Sequence, residues 1–337
     1  MKIAIRADGG LQIGMGHIMR SLVLAKELKK NNNDVFYVCK QSSLLPEKYE
    51  AGINKVKEQG FDVIIINEGD IFAELSKIQA DCLITDSYDV NEEYFNIIKK
   101  YFKFTGYIDD MNLYYFNVDF IINQNIGAEE WKYKVNKGTK LLLGTDYTML
   151  REEFRRVKDK FIDERIHNIM ITVGASDFNG ITNKICDYLK ELHFKFHVIV
   201  GPCFTKENIY ELMKLSEKNK NIELHFHADM IKIMNECDIC ISACGSTLYE
   251  LASCGIPTIG LIVADNQKKI GEKLNQLKVI KNLGFYQKIS KKKLCETIKD
   301  LDRNIEKRQE MSKKSMEIVD GKGVNRIVSY LEYINNN

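Results

Sequence analysis

RADGGLQIGMGHIMRSLVLAKEL, Arg6 to Leu28, decides the fold, because it sets glycines and one histidine where a strand hands over to a helix. KIAIRA, which leads into it, reads as a short buried strand, and Ile18, Leu22, Ala25 and Leu28 recur at helical spacing behind it. Such junctions are where α/β enzymes hold ligands and do chemistry. His17 falls in the first helical turn, where free N–H groups and the helix dipole favour a neutral imidazole and attract anions. A neutral imidazole can take a proton from water, which makes His17 the candidate general base. Gly14 and Gly16 lack the third glycine of a dinucleotide fingerprint, whose place Met19 holds, and Lys40 stands where a ribose-binding acid belongs. A nicotinamide cofactor is therefore disfavoured. The bland alternative, a tight turn beside a polar helix start, explains fewer of the four glycines.

Composition narrows the classes further. At 337 residues the chain is about twice the usual domain size, so two domains are the expectation. The formal charge of +2 is near balance and both signs are mixed along the chain, which does not suggest a nucleic-acid groove. No apolar run reaches membrane-span length and the sequence opens directly on the first strand, so a cytoplasmic protein without membrane contact is expected. The nine cysteines read as reduced core residues. Cys237, Cys240, Cys244 and Cys254 have a spacing loosely like a zinc or iron–sulfur site, but they fall on a strand and the helices flanking it, so their side chains should diverge. His225 and His227 alternate on one face of IELHFH, equally consistent with an exposed strand edge and a ligand pair.

Strand-like runs at DVFYVC, FDVIIIN, ADCLITD, FKFTGYID, VDFIINQ and KLLLG alternate with helical segments, followed by the charged stretch REEFRRVKDKFIDER. A second alternation runs through HNIMITV, FHVIV, IELHF, DICIS and PTIGLIV. The fold class is accordingly α/β, as two doubly wound Rossmann-like domains with a cleft between them, residues 1–152 and 153–337. The mostly helical tail from Lys291 is expected to cross back to the first domain.

The second glycine-rich centre is ACGSTLYELASCGIPTIGLIVADNQ, Ala243 to Gln267. Gly245, Ser246 and Thr247 follow a strand and open a helix, so N–H groups and two hydroxyls can cradle a phosphate. It is not a Walker loop, since no GK[ST] occurs. Glu250, one turn on, suits both hydroxyls of a ribose; Ser246 as a simple helix cap is the plain alternative. VGASDFNG, Val173 to Gly180, closes another strand in the same manner.

Taken in order, RADGGLQIGMGHIMR, TDSYD, IDD, INQN, LLLGTDYTMLREEF, VGASD, GSTLYE and ADNQ resemble the pseudaminic acid pathway hydrolases, which cleave UDP from UDP-2,4-diacetamido-2,4,6-trideoxy-β-L-altropyranose. The resemblance runs nearly full length. It implies the glycosyltransferase type B fold, hydrolysis without metal or other cofactor, the nucleotide on the C-terminal domain and the sugar on the N-terminal one. By position it implies His17 as general base with Asp8 and Gly16 in the same motif, Gly245, Ser246, Thr247 and Glu250 on the nucleotide, and Tyr88, Asn266 and Gln267 on the sugar. The chain departs from the family in Gly174-Ala175-Ser176-Asp177-Phe178, where two glycines and Ser/Thr-Asp-Pro are usual, and in Cys244, where glycine is common.

The implied reaction needs few parts: N–H donors to spread the charge growing on UDP, and a base across the sugar to deprotonate water. Asp8 is a candidate to orient His17 or that water. Inversion follows from one displacement at carbon. The expected partner is a UDP-sugar bound by a monomer. A glycosyltransferase or UDP-sugar 2-epimerase of the same fold is the alternative enzyme, and a sugar-nucleotide binding protein the nonenzymatic one.

Overall fold

The structure is a computed structural model that describes residues 1–10, 13–45, 47–156 and 160–336. It divides into two units, Met1–Leu150 with Lys322–Asn337, and Arg151–Gly321. Unit 1 runs β1 (Lys2–Ala7), α1 (Gly16–Lys30), β2 (Asp34–Gln41), α2 (Glu47–Glu58), β3 (Val63–Asn67), α3 (Ile71–Leu75), β4 (Cys82–Asp86), α4 (Glu92–Ile98), β5 (Phe104–Ile108), β6 (Tyr115–Phe116), β7 (Phe120–Asn123), β8 (Lys134–Val135) and β9 (Lys140–Leu143). Its main sheet has the order β3-β2-β1-β4-β5-β7-β9 and is parallel throughout.

Unit 2 runs β10 (Asn168–Thr172), α5 (Ile181–Leu189), β11 (Lys195–Val200), α6 (Lys206–Lys218), β12 (Ile222–Phe226), α7 (Met230–Glu236), β13 (Ile239–Ala243), α8 (Thr247–Ser253), β14 (Thr258–Ile262), α9 (Lys268–Gln276), β15 (Ile280–Phe285), α10 (Lys291–Arg303) and α11 (Ile305–Glu317). Its parallel sheet is ordered β12-β11-β10-β13-β14-β15. The last helix, α12 (Gly323–Asn336), packs on α1 through a face that buries Val324, Ile327, Val328 and Leu331. Residues 322–337 thus belong to unit 1, and the boundary after Leu150 lies two residues before the one read from the sequence.

Both sheets show why the glycine-rich turns matter. Strand order reverses between β1 and β4 in unit 1 and between β10 and β13 in unit 2. At such a switch point the connections leave in opposite directions and open a crevice beyond the strand ends, where α/β proteins bind ligands. RADGG ends β1 and TDSYD ends β4, while VGASD ends β10 and ACGST ends β13. All four motifs therefore stand at a switch point.

The first turn uses its glycines for different purposes. Gly10 and Gly14 close a loop on each other through N–H···O bonds of 3.1 and 2.8 Å, and Gly14 takes φ +80°. Leu11 and Gln12 lie outside the described residues. Gly10 is pressed on α2, where a Cβ would come within 1.9 Å of the Lys48 carbonyl oxygen, whereas a Cβ on Gly16 would meet nothing within 4 Å. Gly10→Ala should therefore cost about 1–3 kcal/mol through overpacking, read as a lowered urea midpoint. Gly16→Ala should leave the midpoint nearly unchanged.

All nine cysteines are free, and Cys295 alone among them is not buried. Cys237, Cys240, Cys244 and Cys254 form no metal-ligating group among the described residues. Burial pushes the Cys244 thiol up to about 12. Its sulfur lies where a Cβ on Gly260 or Gly271 would fall, 2.9 Å from either position. Two glycines on β14 and α9 thus make room for a side chain where the resembled family commonly has none. No helix among the described residues is long and apolar enough to cross a membrane.

Candidate active site

His17 is the second residue of α1, a helix whose start has no side-chain cap. His17 is 6% exposed, and its Nδ1 lies 2.6 Å from Oδ1 of Asp86, the last residue of β4. β1 and β4 pair in register with Ala7 beside Asp86, so the residue opening the glycine turn and the carboxylate share one sheet edge. Arg20, one helical turn after His17, grips Asp86 with Nε at 2.7 Å and Nη2 at 2.5 Å, and donates from Nη1 to Asp110 at 3.0 Å. Burial alone would push the Asp86 carboxyl up, but Arg20 and His17 outweigh it and hold it below the usual carboxylate range. Asp86 is thus an anion with 0% exposure, matched by a guanidinium and an imidazole.

A carboxylate only accepts, so the proton between Nδ1 and Asp86 belongs to the imidazole. That tautomer leaves a lone pair on Nε2, which has no protein partner among the described residues. The arrangement is that of an oriented base: one ring nitrogen anchored to a buried anion, the other able to take a proton. Tyr88 is 46% exposed, sets its ring edge-on to His17 with centroids 4.5 Å apart, and donates its hydroxyl to Asp110 at 2.8 Å. The other oxygen of Asp110 is buried without a hydrogen-bond partner among the described residues. Asp109, its neighbour, caps its own turn by accepting from Met111 and Asn112 N–H groups and from the Tyr133 hydroxyl.

Asp8 does not join this group. Its Oδ1 accepts the Lys40 N–H at 2.8 Å and its Oδ2 lies 3.7 Å from the Lys40 ammonium. Lys40 is in turn bonded to Asp89, and the buried Arg6 guanidinium stacks 4.9 Å over Tyr94. Asp8 belongs to that charge cluster between β1 and β2, and the carboxylate that orients His17 is Asp86. Arg20, Asp86 and Asp110 were all missed from the sequence. Arg20 alone carried a local signal, its i+3 spacing from His17.

In unit 2, Ser246 caps α8 in helical geometry with no side-chain cap bond, so its hydroxyl is not spent on the helix. Leu248 and Tyr249 N–H groups bond back to Gly245 and Ser246. The first-turn N–H groups before them have no intrahelical acceptor, as at any helix start. Gln267 lies against this turn: its Nε2 would be 3.6 Å from a Cβ on Gly245, and its Oε1 accepts the Val263 N–H at 3.0 Å. Asn266 is half-buried in the same short 3-10 segment, Asp265–Gln267. The structure therefore sets Gln267 beside the Gly245–Ser246 turn. Glu250 is held by Arg151 in a two-pronged pair, Nε–Oε1 2.7 Å and Nη2–Oε2 3.0 Å, with the guanidinium stacked 4.8 Å over Phe154. Burial works against the Arg151 charge, and Glu250 more than restores it. Each carboxylate oxygen retains a further lone pair that a hydroxyl could use.

Residues 168–327 match the glycosyltransferase family 28 C-terminal domain. That domain spans β10 to α11, including both glycine turns of unit 2, and extends into α12. Among relatives, an uncharacterized protein of Methanocaldococcus jannaschii is 32% identical over 80% of this chain and 57% of its own length. The chain thus spans little more than half of that relative. The spore coat polysaccharide biosynthesis protein SpsG of Bacillus subtilis is 23% identical over 98% of both chains. The UDP-2,4-diacetamido-2,4,6-trideoxy-beta-L-altropyranose hydrolase of Campylobacter jejuni is 25% identical over 74% of this chain and 87% of its own.

Solved structures agree on the architecture. MurG of Acinetobacter baumannii superposes with a TM-score of 0.68 at 15% identity, over 98% of this chain and 99% of that one. The UDP-GlcNAc 2-epimerase of Neisseria meningitidis bound to UDP-GlcNAc gives 0.61 at 13%, over 99% and 100%. With that match over residues 168–327 and two parallel α/β sheets, the fold is glycosyltransferase type B-like, as the sequence resemblance implied.

Proposed function

We propose that this protein hydrolyses UDP-2,4-diacetamido-2,4,6-trideoxy-β-L-altropyranose to UDP and the free sugar, in pseudaminic acid biosynthesis. The observation that carries the reading is the 2.6 Å contact between His17 Nδ1 and the buried Asp86, which leaves Nε2 as a base. Similarity to the Campylobacter enzyme supports the substrate class.

In this reading water attacks the anomeric carbon while His17 Nε2 takes its proton. The bond from that carbon to the diphosphate oxygen breaks, and the electron pair leaves on UDP. Asp86 stabilises the imidazolium that forms, at low reorganisation cost because it is already an oriented anion. Gly245, Ser246 and Thr247 donate to the diphosphate, and Glu250 accepts the ribose hydroxyls. Gly16, Tyr88, Asn266 and Gln267 contact the sugar, and the partnerless oxygen of Asp110 suits an N–H or hydroxyl of it. Backside attack inverts the anomeric centre. The reaction draws on no metal at this cluster: Arg20 already sits between Asp86 and Asp110, the position a divalent ion would need.

A panel of UDP-sugars incubated with the protein and a chelator, with no acceptor present, tests the assignment. UDP and free sugar should appear from the diacetamido-altro compound. A product still linked to UDP but changed at C2 would make the chain an epimerase, release only on addition of an acceptor a glycosyltransferase, and intact substrate a binding protein. Glu250→Ala should weaken UDP by roughly 1–3 kcal/mol through lost charge-assisted bonds, measured by calorimetric titration. Equal affinities would move the nucleotide elsewhere.

A further inference from the structure

We infer that the second unit holds a divalent transition metal of the zinc class on His197, Glu223 and His225, at the β11–β12 edge of its sheet. Parallel pairing sets Glu223 beside His197, and His225 follows Glu223 by two residues, so the three side chains share one face. His197 Nδ1 lies 3.0 Å from His225 Nε2, and His225 Nε2 lies 3.7 Å from Glu223 Oε1. All three ligand atoms are within 4.8 Å of one another. Two nitrogens bound tetrahedrally to zinc stand about 3.3 Å apart given bonds near 2.0–2.1 Å, so small side-chain rotations would seat an ion.

The tautomer is also prepared. His197 Nε2 meets the Asn168 side-chain oxygen at 3.2 Å, an acceptor, so the ring hydrogen sits on Nε2 and the Nδ1 lone pair faces the cluster. Metal-ligating histidines are oriented by this kind of outer contact. Lys195 holds Oε2 of Glu223 at 2.7 Å and leaves Oε1 to the cluster. Its ammonium also opposes a second cation, which tempers the affinity. Two imidazoles and one carboxylate suit zinc, and the exposed side of Glu223 leaves a fourth place for water. In the sequence His225 and His227 fitted an exposed strand edge as well as a ligand pair, but His227 lies beyond the end of β12 at φ +53°, and the partner of His225 is the buried His197. β12 lies three strands from β13, roughly 14 Å at the usual spacing, so this ion would not be part of the glycine turn that follows β13.

The full chain, dialysed against EDTA and then freed of chelator, is titrated with zinc chloride by calorimetry and with Co²⁺ by visible absorption. One saturable site is expected, with a melting temperature raised by several degrees in zinc. His225→Ala and Glu223→Gln should each weaken binding at least about tenfold and remove the thermal shift. Glu223 is exposed and outside the core, so its variant stays readable if His225→Ala disturbs the sheet. No saturable binding by the unaltered chain would mean that the two imidazoles only hydrogen-bond. Affinity unchanged in either variant would assign the metal to other groups such as the thiols. Either result overturns the inference.

Discussion

Replacing His17 with asparagine is expected to lower turnover by about two to four orders of magnitude, the usual worth of a positioned general base. Asparagine fits a helix start and can still meet Asp86 with its amide, so the fold and the Arg20 bridge should survive. What it cannot do is accept a proton from water. UDP affinity should change little, because in the proposed mechanism the nucleotide is bound by residues of unit 2. Steady-state kinetics with calorimetry on the same variant separates the two effects. His167, His193, His197, His225 and His227 should be comparatively tolerant, and near wild-type turnover in the His17 variant would remove the residue from the mechanism.

Asp86→Asn should lower turnover by a comparable factor while leaving the side chain's shape. A neutral amide cannot stabilise the imidazolium, and its N–H₂ end, if turned to the ring, selects the wrong tautomer. It also leaves Arg20 as a buried cation with only Asp110 for balance, so a stability loss of about 3 kcal/mol or more accompanies the catalytic one. The pH dependence has a definite sign. The Asp86 carboxyl is held below its unfolded value, so its contribution to stability is fully present above the ordinary carboxylate range and is lost as pH falls through the lower folded value. Urea midpoints between neutral pH and pH ~3 should therefore fall less steeply in the Asn variant than in the parent. An equal acid slope would mean that Asp86 is not the stabilising anion.

The glycine turns, and the place of His17 in the first turn of α1, were legible because strand, turn and helix follow one another within a few residues, and each leaves a local pattern. The fold followed from the same alternation. Asp86 was not legible: it is 69 residues from His17 and meets it only because the sheet order sets β4 beside β1. Periodicity does not encode strand order, so TDSYD yielded Tyr88 and not the carboxylate two residues earlier. Asp8 misled for the converse reason. It adjoins the glycines in sequence, but at the end of β1 its side chain is drawn to Lys40 on the neighbouring strand. β15 went unread because Lys281, Asn282 and Gly284 interrupt its apolar run, as an edge strand permits. Arg151 lay inside the quoted LREEF motif, yet its grip on Glu250 spans 99 residues and has no local signature.

In the proposed mechanism a water activated by His17 attacks carbon and not phosphorus. Running the reaction on the diacetamido-altro UDP-sugar in ¹⁸O-water with a chelator, and weighing both products, tests it most directly. One ¹⁸O is expected in the free sugar and none in UDP. Label in the nucleotide, or a turnover that stops until Mg²⁺ or Mn²⁺ is restored, would contradict it.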